Sequence, residues 1–274
     1  MPKTSDQPRN DEPGRPDAPT LVAIALLAYI LAVVLHELGG HGGACVALGG
    51  AARELGAYYL DCDYRGMGDA QIRLVAAAGN TVNLGAALAA RPFVTRAAAW
   101  HAKWFWWLFM AVNLLDWAGY FFFSGVSGIG DWGWQPHGVM HGTEPQWAWR
   151  AALALAGGGL YYASVVYAAR LLGHLVDAPR TARRLALLSY LTGGLLALLV
   201  GLRNPLGMAI VITSSLASTL GGTSGLLWLP HKVPAGPEPG RPAVPARRSW
   251  GWIACGAIAA LLFALVLGPS RTLA

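Results

Sequence analysis

Long apolar runs alternate with short polar ones along most of this chain. Seven runs, at about 21–48, 71–93, 104–123, 148–170, 184–202, 205–228 and 250–268, approach or exceed the ~20 residues a helix needs to cross a bilayer. The pattern predicts an all-α polytopic membrane protein with six or seven transmembrane helices. The first run is long enough to tilt, or to continue past the span as a half-helix. Residues 1–19 are polar and rich in Pro, Asp and Arg, and are expected to form a disordered tail. Between the first two runs, Leu55–Tyr64 and Gln71–Val75 have strand-like character around the turn Gly66-Met67-Gly68-Asp69. They predict a short β-hairpin at the membrane surface. The segment 229–248 is Pro-rich and basic, and reads as an extended loop.

Composition agrees with the pattern. Of 274 residues, 55% are hydrophobic and only 12% charged, with mean hydropathy +0.43, too apolar for a soluble domain of this size. The net charge of +6 lies in loops, without the aromatic-basic interleaving of a nucleic-acid surface. Arg91, Arg96 and Lys103 fall in one loop, and Arg170, Arg180, Arg183 and Arg184 in another. Lys232, Arg241, Arg247 and Arg248 fall in a third. By the positive-inside rule these alternate loops face the cytoplasm, with the N-terminus. Loops 49–70 and 124–147 then face the opposite side. The expected setting is a bacterial inner (plasma) membrane, with the lipid bilayer as partner and no nucleic acid. The tryptophans at 100–107 and Trp132, Trp134, Trp147 and Trp149 read as an interfacial belt. Cys45, Cys62 and Cys255 are widely spaced and odd in number, so they suggest no disulfide framework, and Cys45 reads as a packing residue.

The first run carries His36-Glu37-Leu38-Gly39-Gly40-His41. Ionisable groups at membrane depth are costly and need a partner or a metal. His-Glu followed closely by His is the pattern of a zinc peptidase helix, with both imidazoles as ligands and the glutamate as base. Here three residues separate Glu37 from His41, where the usual motif has two. On a regular helix residues five apart lie ~140° apart, and one metal would not see both rings. Gly39-Gly40 can host a π-bulge that restores a shared face.

The spacing HELGGH resembles the HELLGH zinc site of the dipeptidyl-peptidase III family. The layout of the chain resembles the site-2 protease group of intramembrane zinc metallopeptidases. That likeness covers residues 20–135. It rests on the His-Glu helix, the hairpin, the span with Ala78-Gly79-Asn80-Thr81-Val82-Asn83-Leu84, and Asn113-Leu114-Leu115 followed by Gly128-Ile129-Gly130-Asp131-Trp132. The Asn-x-x-Pro…Leu-Asp-Gly signature of that group is absent in its usual form. Residues 136–274 add further transmembrane helices and no recognisable site. The resemblance implies a zinc-dependent peptidase acting on membrane protein or peptide substrates. It also implies an aspartate third ligand, and Asn80 and Asn83 holding an extended substrate.

Two aspartates compete for the third ligand position. Asp116 is the only charge in the run 104–123. Asp131 sits in a Gly-rich turn beyond it, at the depth expected for the end of the motif helix, and is favoured. His137 and His141 form a second pair four apart, read as surface residues. Alternatives to the peptidase are a transporter or ion relay using the same His/Glu/Asp cluster, and a catalytically silent relative.

Overall fold

The computed structural model describes residues 17–176, 178–233 and 247–273. Seven helices are long and apolar enough to cross a membrane. They are α1 Ala18–Ala47, α2 Asp69–Arg96, α3 Trp100–Ser127, α4 Gln146–Gly173, α5 Pro179–Gly201, α6 Met208–Lys232 and α7 Trp250–Leu267. The chain is a multi-pass membrane protein of all-α class. Helix α1 starts at Ala18, because the Asp17 carboxylate caps it by accepting from the Thr20 N–H at 3.1 Å. The end of the expected tail is therefore cap and first turn; residues 1–16 lie outside the described residues. So do 234–246 of the Pro-rich loop, whose expected start at 229–232 is a short helical turn closing α6.

Helix α1 is the centre of the bundle, packed against α3, α5 and α7. Its N-terminal half is apolar on every side, and Ile24, Ala25 and Ala28 have no exposed surface. A helix apolar all round belongs in an interior or a membrane. Helix α3 is equally central. Trp104 and Trp107 are fully buried, and the Trp107 indole donates to the Ala168 carbonyl on α4 at 3.0 Å. These two tryptophans are core, not belt. Trp147 and Trp149, at the start of α4, are exposed as a belt requires.

The hairpin exists, in a different register from the one the pattern suggested. Strands β1 Ala51–Leu55 and β2 Leu60–Asp63 pair antiparallel, and β3 Arg271–Thr272 adds to the free side of β1. Gln71–Val75 is the first turn of α2. There the Gln71 side chain accepts from the Gly68 N–H at 2.8 Å and starts the helix. A five-residue alternating stretch fits either period, and the cap with the long apolar run behind it decides for helix. On the outer strand Asp63 accepts from Arg65 and Arg53, which hold its carboxyl below the ordinary range.

The hairpin also corrects the reading of the cysteines. Cys45, at the end of α1, and Cys62, on β2, form a disulfide with their Cα atoms 6.1 Å apart. Seventeen residues of separation hid the pair, because the fold-back of β2 brings them together. A disulfide belongs to an oxidising side of the membrane, which agrees with the placement of loop 49–70 away from the cytoplasm. Cys255 is free and exposed on α7. In denaturant without reductant, a maleimide–polyethylene glycol reagent should tag one of the three cysteines per chain, and all three after reduction. Three tags without reductant, read as gel shifts, would show the disulfide wrong.

Candidate metal centre

The extra residue in the histidine motif is absorbed as its glycines suggested. Leu35–Gly42 is a π-helical segment within α1, flanked by regular α-helix on both sides. Its i→i+5 bonding puts residues five apart over one another, so His36 and His41 share a face. Their Nε2 atoms are 3.1 Å apart. Gly40 lets the segment press against α2: a Cβ there would strike the backbone of Gly79.

Asp131 completes the group. Its Oδ2 lies 3.3 Å from His36 Nε2 and 3.5 Å from His41 Nε2. Among the described residues, these three are the His/Cys/Asp/Glu group whose ligand atoms converge as a metal requires. Asp116, the competing ligand, is not part of it. For a tetrahedral zinc with ligands at ~2.0–2.1 Å, ligand atoms are separated by about 3.3–3.4 Å. The triangle of 3.1, 3.3 and 3.5 Å brackets that value.

The protons on the rings are set by what lies behind them. His41 Nδ1 is 2.8 Å from the carbonyl of Val75, an acceptor only, so Nδ1 carries the hydrogen. His36 Nδ1 donates to Asn83 Oδ1 at 3.1 Å. In the neutral rings both Nε2 atoms are therefore lone pairs, aimed at each other and at a carboxylate oxygen. Asp131 Oδ2 is buried with no hydrogen-bond partner among the described residues. One proton can bridge one edge of such a triangle, whereas a metal ion satisfies all three corners. Nδ1–H held by a backbone carbonyl or amide is also how metal-ligating histidines are oriented. The donor set fits zinc.

Helix α2 supplies this backing from one face. Val75, Gly79 and Asn83 are four apart and lie along one side of it. A Cβ at Gly79 would sit 2.5 Å from His41 Nε2 and 2.7 Å from His36 Nε2, so the position tolerates only glycine. The loop after α3 supplies the aspartate. Gly130 precedes it at φ 91°, a left-handed conformation natural to glycine. Arg73 on α2 donates to the Val139 and His141 carbonyls at 2.9 and 2.7 Å, and the Val139 N–H donates to the Asp131 carbonyl at 2.9 Å. The loop is thus tied to the helix that positions the imidazoles.

Comparisons with protein-family models, curated proteins and solved structures return no match. The site carries the functional argument by itself.

The remaining expected residues fall into place around it. Glu37 is buried, receives no hydrogen bond among the described residues, and lines a cavity of about 240 Å³ together with His36, His41 and Asp131. Asn83 is spent on His36. Asn80 Nδ2 donates to the Trp117 carbonyl at 2.8 Å and its Oδ1 accepts from Trp132 at 3.3 Å, so it ties α2 to α3 and to the Asp131 loop. His137 and His141 do not share a helix. His137 has φ 70° and packs on Tyr64 at the cavity rim, and His141 Nδ1 donates to the Trp134 carbonyl at 3.1 Å. Sequence reasoning missed Tyr120, whose ring stacks on His36 with centroids 5.1 Å apart. It also missed Val75 and Gly79, although their places eight and four residues before Asn83, on one helix face, were a readable signal.

If the group holds a divalent metal, Asn83→Leu should lower its affinity, probed with zinc, about 10–100-fold without removing a ligand. Competition with a chromogenic chelator on purified protein measures this, and unchanged affinity would show the Asn83–His36 bond to be incidental.

Proposed function

We propose that this protein is an intramembrane zinc metallopeptidase of the site-2 protease kind, hydrolysing peptide bonds of membrane-associated substrates. The observation that carries the reading is the convergence of His36, His41 and Asp131 on one point, with Glu37 lining the same cavity. Three protein ligands and an open side are what a catalytic, as opposed to structural, zinc site has. A bound zinc would supply Lewis acidity and bring the pKa of coordinated water toward ~7.

The chain's own groups do the rest. Glu37 is free of competing hydrogen bonds, so its carboxylate is available to take a proton from water and return it to the departing amine. The Val75 carbonyl and Asn83 hold the imidazoles in the tautomer that leaves Nε2 unprotonated. Tyr120, stacked on His36, covers that ring and limits its rotation. A second cavity, almost wholly apolar, also reaches Glu37. It runs between α1 and α7 past Leu55 and Phe263, and offers an apolar substrate segment a path from the lipid side.

A proton or ion relay is less well supported by the same geometry. A relay histidine exchanges protons at both ring nitrogens, and here both Nδ1 atoms are committed to fixed acceptors.

Purified protein should hold about one zinc per chain. His36→Ala and His41→Ala should lose it, and Glu37→Gln should keep it. Glu37→Gln should cut cleavage of a membrane-embedded peptide about 10²–10⁴-fold. Absence of zinc from the unaltered protein would remove the metallopeptidase reading. Undiminished cleavage by Glu37→Gln would remove the base.

A further inference from the structure

With Asp131 as ligand, the carboxylate of Asp116 is left over. It sits on α3 and is 6% exposed, in the wall of the cavity that holds the metal ligands and Glu37. Its Oδ1 is buried without a partner, and neither oxygen accepts a hydrogen bond among the described residues. Gly222 on α6 makes the room for it: a Cβ there would collide with Oδ1. The surrounding wall includes Tyr58, Tyr120 and Ser218.

The cavity offers Asp116 no lysine or arginine partner of its own. Its described lining includes Glu37, Asp131 and Asp116 and no lysine or arginine. A divalent zinc offsets the first two carboxylates, and Asp116 remains. A buried carboxyl left unpaired stays neutral until a cation meets it, and an acidic side chain kept at membrane depth marks a place where a partner binds. A second resident metal has no ligand set there, since among the described residues Asp116 belongs to no group of three His, Cys, Asp or Glu with converging ligand atoms.

We propose that Asp116 is a specificity-determining residue, the floor of a subsite that takes a basic side chain, lysine or arginine, of the peptide substrate. The proposal rests on the peptidase reading for the identity of the ligand as a peptide. The faces of the Tyr58 and Tyr120 rings accept the methylene stem, and the carboxylate accepts a charge-assisted hydrogen bond from its head.

The test uses full-length, zinc-loaded Glu37→Gln protein in lipid nanodiscs. The probes are fluorescein-labelled, amidated decapeptides of Ala, Leu and Gly. One lysine is moved along the series, and each peptide has a norleucine counterpart of the same length. At one register the lysine peptide should bind roughly 10–100-fold more tightly than its counterpart. The added substitution Asp116→Asn should bring that ratio to about one with zinc content unchanged. Asp116→Glu should keep the preference, which guards against a variant that merely misfolds. No lysine preference at any register, or a preference that survives Asp116→Asn, overturns the proposal. Incubating the same peptides with protein that retains Glu37 separates the two ideas. Cleavage without lysine preference keeps the peptidase and discards the subsite. Lysine preference without cleavage does the reverse.

Discussion

Three acceptor atoms face one another at the end of α1 with no proton assigned between them. His36 Nε2, His41 Nε2 and Asp131 Oδ2 form a triangle of 3.1, 3.3 and 3.5 Å on the wall of a largely buried cavity. Lone pairs so arranged repel, and repel more strongly in a low dielectric. The arrangement is favourable when a cation sits among them. The rest of the local structure is intelligible as the means of holding that repulsive set together. The Val75 carbonyl and Asn83 fix the rings from behind, and Gly79 yields space in front. Arg73 anchors the loop that brings the carboxylate.

These constraints come from elements far apart in sequence, and α2 is common to all of them. Through Val75, Gly79 and Asn83 it meets the π-segment; through Asn80 it meets α3 and Trp132; through Arg73 it meets the Asp131 loop. The disulfide from Cys45 to Cys62 secures the end of α1 to the hairpin just beyond the second histidine. A metal site needs ligands placed within a few tenths of an ångström. Rigid helices with a cross-linked end deliver that better than a mobile loop would.

What the sequence disclosed followed from how local each signal was. Apolar runs of span length gave seven helices, because hydropathy over twenty residues hardly depends on the rest of the fold. The π-segment was readable because His36 and His41 demanded a shared face and Gly39-Gly40 permitted it. Asp131 was preferable to Asp116 by depth and by the resemblance of Gly130-Asp131-Trp132, with Asp116 kept as the alternative. Pairings between distant residues were not readable. Cys62 meets Cys45 only through the register of β1 and β2, and β3 comes from the far end of the chain. Asn83 looked like a substrate donor because nothing local shows that His36 lies against it. Trp104 and Trp107 looked interfacial because a tryptophan cluster has the same composition in a belt as in a core.

The altered motif is then best understood as a statement about phase and not about spacing. Two imidazoles must project from one helix toward one point. On an α-helix that requires a separation of four, and on a π-turn a separation of five. The inserted residue costs a less favourable local backbone, and glycines at 39 and 40 lower that cost while letting α1 approach α2 more closely than any side chain would allow. Deleting one glycine would restore the familiar spacing on a regular α-helix, so both imidazoles would still share a face and Cys45, four residues beyond His41, would keep its direction toward Cys62. What the insertion adds is therefore a glycine surface against α2, not a new direction for the ligands.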